Sequence, residues 1–202
     1  HFGALPSRIL PTRPDWKEPP RSANRTVSLS HPRVRQPSWS RRYLVPSYGA
    51  SDRQYRYALD VLTEILSGGT TGRLYRRLVV EQALAAHAGA WYSGDNRGPG
   101  VFGFYGSPRP GRTLDEIETA IEVEIAAVLE NGITDEEVKL AIERMQAEAV
   151  FARDSLNAPP RILGNALMSG LSIEDVEAWP ERIGAVTKQA VDAAARAVLS
   201  TG

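Results

Sequence analysis

The chain of 202 residues carries 24 basic and 24 acidic side chains, 42% hydrophobic residues and no cysteine. This composition excludes bulk disorder and collagen-like sequence, as well as disulfides, thiolate metal sites and a cysteine nucleophile. Zero net charge argues against holding nucleic acid or acidic membrane by bulk field, and no apolar run approaches the ~20 residues of a membrane-spanning helix.

The first 50 residues hold 8 of the 14 prolines and nine basic side chains against Asp15 and Glu18. Proline-rich sequence without apolar periodicity reads as an extended linker, placed at residues 1–24; a globular domain is expected over 25–202. Its basic charge reads as a solvated tail or as a strap for an acidic partner. Thr26–Ser30 alternates loosely and is expected to be a strand, and Trp39–Val45 is a second, stopped by Pro46. Ser51 and Gln54 suit a capping box, followed by a helical stripe of Tyr55, Leu59, Leu62 and Leu66 that Gly68 and Gly69 end. A short basic helix is predicted over about 72–82. Two strands, Ala86–Ser93 and Val101–Ser107, flank a Gly/Asp/Asn-rich stretch that suits a hairpin.

The second half is helical. Thr113 with Glu116 and Thr134 with Glu137 form two further capping boxes, each opening a long amphipathic helix, with Asn131-Gly132 between them. Shorter helices are predicted near 160–169, 173–182 and 187–199. Residues 113–150 carry eleven acids against Lys139 and Arg144, so overall neutrality conceals a basic front and an acidic middle. Arginine outnumbers lysine 21 to 3, a bias pointing to a GC-rich bacterium; periplasm and cytoplasm are both compatible with it.

Little enzymatic chemistry survives inspection. The histidines are His1, His31 and His87, and neither H-E-x-x-H nor H-x-x-E-H occurs. His87, on a predicted strand, reads as structural. The Ser67–Arg73 stretch lacks the Gly spacing and Lys-Ser/Thr of a P-loop, has Ser67 where the dinucleotide-binding fingerprint needs its first Gly, and follows a helix where both motifs follow a strand. No G-x-S-x-G elbow is present. What remains is a glycine turn (Gly68, Gly69, Gly72) feeding Arg73, Arg76 and Arg77, which helical spacing puts on neighbouring parts of one side. These six residues read either as a helix connector with solvated charge, or as contacts to a peptide or an acidic partner.

Four stretches carry a resemblance: His1-Phe2-Gly3-Ala4-Leu5-Pro6 with its proline-rich continuation; Tyr43-Leu44-Val45-Pro46-Ser47; Leu66-Ser67-Gly68-Gly69 with Gly72-Arg73-Leu74-Tyr75; and Asn131-Gly132-Ile133-Thr134-Asp135-Glu136-Glu137 between two helices. In this order and spacing the chain resembles the C-terminal, non-zinc-binding domain of the pitrilysin and mitochondrial processing peptidase-like zinc metalloproteases. The resemblance implies an α+β fold, a mixed and largely antiparallel sheet with helices packed on one face. It implies no cofactor in this chain, with zinc expected in a partner half that bears H-x-x-E-H, on the same polypeptide or a separate subunit. It implies a peptide substrate in a chamber that the two halves enclose, bordered by the glycine turn and basic helix. Many members supply an Arg and a Tyr after this helix; the matching positions here are Val79 and Ala86, so that pair is unmatched. Tyr92 is a poor substitute for it. The family's last strand follows its final helix, so the sheet is expected to lack it over 190–202. A non-proteolytic assembly subunit is the alternative reading. A nucleic-acid module built on the basic 1–42 segment has no recognisable motif behind it.

Overall fold

A computed structural model describes residues 23–49 and 54–200. Among these, regular structure opens with β1 (Trp39–Val45). Residues 26–30 form no strand: Val27 and Leu29 are largely exposed, and no described residue pairs with them. A loosely alternating run needs a partner edge to become a strand, and none among the described residues reaches it. The predicted linker except for Ala23 and Asn24, and Ser51 of the first capping box, lie outside the described residues. Helix α1 (Arg56–Ser67) starts later than its predicted cap, after Tyr55.

β2 (Ala85–Ser93) and β3 (Gly100–Pro108) form the predicted hairpin, and the sheet order is β1-β3-β2. Both pairings are antiparallel, with no parallel pair among the described residues. Strand side chains alternate between faces. Tyr43 and Val45 of β1, Phe102 and Phe104 of β3, and Ala88 and Ala90 of β2 bury one face. Phe102 and Phe104 meet edge to face at 5.5 Å, and Tyr43 stands against Phe104 at 6.2 Å. The helices cover this face: α1 contributes Leu59, Leu62 and Leu66, and α2 (Leu114–Asn131) contributes Ile117 and Ile121, all essentially inaccessible. Each buried Leu or Phe is worth roughly 1.5–3 kcal/mol, so one aromatic and aliphatic layer between sheet and helices organises the domain.

Both long helices start at the boxes read from sequence: Thr113 accepts from the Glu116 N–H, and Thr134 from the Glu137 N–H, with each Glu returning to the cap backbone. Helix α3 runs Asp135–Arg153 and α4 Ala158–Ser169. The helix expected over 173–182 is two pieces, α5 (Ile173–Glu177) and α6 (Trp179–Gly184). Pro180 sits in the first turn of α6, where its missing N–H is harmless, but it cannot continue the preceding helix. Helix α7 (Lys188–Leu199) packs Val191, Ala194, Ala195 and Val198 inward. Residues 188–199 are thus helical, and among the described residues no strand pairs with the outer edges of β1 or β2. No helix among the described residues is long and apolar enough to cross a membrane.

Candidate partner- and peptide-facing site

The glycine turn is closed by its own backbone. Gly68 caps α1, its N–H donating to the Glu64 carbonyl. A methyl group on Gly72 would stand 2.9 Å from Gly68 N, Leu66 O and Ser67 C, so the turn folds back on itself too tightly for any side chain. Gly69 adopts φ +61°, a left-handed conformation glycine takes at little cost. Gly72→Ala should therefore cost about 1–3 kcal/mol, read as a lowered urea midpoint; an unchanged midpoint would mean that the turn relaxes freely.

Beyond the turn, Tyr75–Glu81 winds as a π-helix instead of the predicted α-helix, closed by the Gln82 N–H donating to the Arg77 carbonyl five residues back. The three arginines part company there. Arg73 Nε and Nη2 fork onto the two Glu137 oxygens, both at 2.6 Å. Burial alone would raise the Glu137 carboxyl, but the Arg73 fork and the Thr134 backbone N–H and hydroxyl hold it down at about 2. Arg77 Nε lies 3.0 Å from the buried Glu124 of α2. Arg76 is the most exposed of the three, its side chain 60% accessible with Glu81 at 3.5 Å. Arg73 and Arg77 thus tie the basic helix to α2 and α3, and Arg76 is turned to solvent.

Arg73 also reaches the Gly132 carbonyl at 3.5 Å, at the junction between α2 and α3. Next to it the Ile133 N–H donates to Asp192 Oδ1 at 2.9 Å, and Lys188 Nζ donates to Asp192 Oδ2 at 2.6 Å. Turn, helix junction and α7 are joined through these polar contacts.

The positions of the unmatched Arg/Tyr pair are unlike each other. Val79 is buried, and its carbonyl accepts from Arg109 Nη2 at 2.8 Å. Ala86 is exposed at the start of β2, where the register with β3 slips between Ala85 and His87. Tyr92 lies on the helix-covered side and donates to the Pro46 carbonyl at 2.6 Å.

Among the described residues the other face of the sheet carries no helix, and sequence reasoning missed what it presents. Trp91 lies over Gly103, and the guanidinium of Arg42 stands 5.9 Å from its ring. Tyr105 lies over Gly89, with His87 at 6.2 Å. Each aromatic ring covers a cross-strand glycine, a known way of shielding exposed strand backbone. A methyl on Gly89 would meet the Ser67 hydroxyl and the Tyr105 hydroxyl, both at 2.5 Å. The end of α1 therefore reaches the edge of this bare face, which places the glycine turn beside it. Leu44 and Val101 add apolar area, and none of the outward side chains on the three strands is a carboxylate. His87 is exposed here, so it is no core histidine. The pairing of Gly103 with Trp91 and of Gly89 with Tyr105 was the available signal, but it needs the strand register.

Among the described residues no three His, Asp or Glu side chains converge to hold a metal ion. A zinc site needs three or four such ligands around one point, so these residues do not fit zinc.

Residues 1–145 match the family described as the Peptidase M16 inactive domain. The chain belongs to this family, as the non-catalytic domain type. An uncharacterized zinc protease of Streptomyces coelicolor is 30% identical over 158 residues, 77% of this chain and 33% of that protein. Of the solved structures, a protease from Helicobacter pylori superposes with a TM-score of 0.73 at 17% identity, over 80% of this chain and 38% of that one. An inactive peptidase domain from Bordetella parapertussis superposes at 0.68 and 21% identity, covering 79% and 84%. At these identities the structures establish the fold, α+β with helices on one sheet face. The chain spans about a third of the length of the curated relatives it matches.

Proposed function

We propose that this chain closes over a zinc-bearing half and forms one wall of a peptide-binding chamber, with peptide-bond hydrolysis carried out by the other half. The observation that carries the reading is the match to an inactive peptidase domain over residues 1–145 in a sequence without H-x-x-E-H. Zinc belongs to the partner half in this reading, whether that half lies on the same polypeptide or on a second subunit. No step of the chemistry is assigned to this chain.

The wall consists of the Gly68–Gly72 turn, Arg76 and Arg77, and the adjoining bare sheet face. Arg73 sets the position of the turn through Glu137. An arginine offers planar donors to peptide carbonyls and carboxylates, and a face free of carboxylates does not repel an acidic peptide. The alternative, an assembly subunit without proteolysis, draws support from the unmatched pair at Val79 and Ala86, since a peptide backbone would be clamped less firmly.

The test uses the chain alone and mixed with the H-x-x-E-H half. Alone it should bind no zinc stoichiometrically and cleave no peptide. Mixed, it should raise peptide turnover by the zinc half at least tenfold, and Arg76→Ala should raise KM. A complex that forms and never cleaves would establish the assembly reading; one tightly held zinc per isolated chain, lost in His87→Ala, would overturn both.

A further inference from the structure

One surface is left unused by this reading. Helix α4 touches the rest of the domain along a narrow stripe, with Leu163 half-buried and Ala166 and Ser169 buried. The remainder of α4, the end of α3 and the link between them face solvent with apolar groups: Leu156 is 93% exposed, Phe151 71%, Met168 67% and Val150 61%. The peptide link 154–157 keeps the end of α3 and the start of α4 together, which brings Val150, Phe151 and Leu156 to one end of the helix pair, and Met168 extends the apolar exposure along α4. Isolated exposed apolar residues are ordinary, whereas a cluster of this density marks a contact site. Composition agrees. From Phe151 to Leu171 there is one acid, Asp154, in a chain with 24. Phe, Met and Arg with few Lys or Glu is the residue signature of an interface core. Arg153 and Arg161 flank the cluster, exposed and with no ion pair to a described residue.

We propose that this α3–α4 surface is the docking face for the zinc-bearing half, a proposal that rests on the function proposed above. The occupant follows from length and charge. The curated relatives are about three times as long as the stretch matched here, so most of such a protein lies outside this domain and can cover the cluster. A second copy fits less well. A two-fold interface places the same patch on both sides, so two net-positive patches, each with Arg153 and Arg161 against Asp154 alone, would face each other. The complementary surface is apolar with carboxylates opposite Arg153 and Arg161. This face is separate from the glycine turn, so docking and peptide contact can be changed independently.

The experiment compares the chain with the variant Leu156→Asp/Met168→Asp. Both substituted residues are exposed, so the thermal midpoint of the isolated chain should stay within about 2 °C, consistent with the small effect of surface substitutions. Titrated with the zinc-bearing half, the variant should bind at least tenfold more weakly. Hydrogen exchange over residues 150–171 should slow in the wild-type complex, and Arg153→Glu/Arg161→Glu should weaken binding in a salt-dependent way. Equal affinity of variant and wild type, with no protection of 150–171, would overturn the docking face while leaving the functional reading intact. Failure of the wild-type chain to associate at all would remove both. Self-association that Leu156→Asp abolishes and the zinc half does not displace would assign the surface to a second copy and overturn the proposal.

Discussion

Asp60→Asn should stabilise the protein at pH 8 by on the order of 4 kcal/mol, and by less than about half of that at pH 5. Asp60 projects from α1 into the space between the helix and the β1–α1 connection. Tyr48 donates its hydroxyl to Asp60 Oδ2, and Trp179 Nε1 donates to the Tyr48 oxygen at 3.3 Å. Burial raises the Asp60 carboxyl to about 7, helped by the nearby Asp95 charge and opposed by the Tyr48 and Trp179 hydrogen bonds. The Arg56 guanidinium, one turn earlier, makes no ion pair with Asp60: it stacks on Tyr48 and Tyr57 at 5.3 and 4.7 Å, and its Nη1 is buried without a hydrogen-bond partner among the described residues. The folded state thus holds the Asp60 proton more tightly than the unfolded chain does. Stability from this group is complete below the ordinary value of 3.8, falls as pH rises towards about 7, and is level above it. Each pH unit across that interval is worth about 1.4 kcal/mol. Asparagine keeps an acceptor for Tyr48 and has nothing to ionise. Urea unfolding of both proteins at pH 5 and pH 8 checks this, and an equal difference at the two pH values would show that the carboxyl is ionised throughout.

Much of the fold was legible because its determinants are local. The Thr113/Glu116 and Thr134/Glu137 boxes set two helix starts within four residues of sequence, and the Gly/Asp/Asn-rich stretch before Gly100 marked the hairpin. The failures depend on partners far away in sequence. Thr26–Ser30 has strand character and no edge to join. The basic helix winds as a π-helix between the close-packed glycine turn and β2, a tertiary constraint that propensity does not carry. In the candidate site, the turn was identifiable from its glycines, but the duties of the arginines were not. Arg73 and its partner Glu137 are 64 residues apart, and helical spacing alone put Arg73, Arg76 and Arg77 on one surface with one purpose. The aromatic sheet face was invisible for a related reason: a one-residue change of register would turn Trp91 and Tyr105 to the other side.

Arg73→Ala should cost about 3 kcal/mol at pH 7, because removing one partner of an enclosed pair leaves the other charge without compensation. The low end of the usual range applies, since the side chains of Arg73 and Glu137 retain 17% and 28% of their accessibility. Glu137 cannot simply turn to solvent, because it also accepts from the Thr134 N–H and hydroxyl as the return arm of the α3 capping box. The Glu137 carboxyl is held at about 2 against an ordinary 4.5. A group depressed in this way contributes stability above its unfolded value and loses it as pH falls through its folded value. The gap between wild type and Arg73→Ala should therefore be full at pH 7, begin to shrink below pH 4.5 and nearly vanish around pH 2. Arg73→Lys keeps the charge but not the two-pronged geometry, and should recover no more than about half of the loss. Urea unfolding across this pH range reads all three proteins. A difference that stays constant with pH would mean that packing of the Arg73 side chain, and not its pairing with Glu137, holds the glycine turn against α3; peptide turnover in the complex with the zinc half would then follow side-chain volume at position 73, with lysine matching arginine.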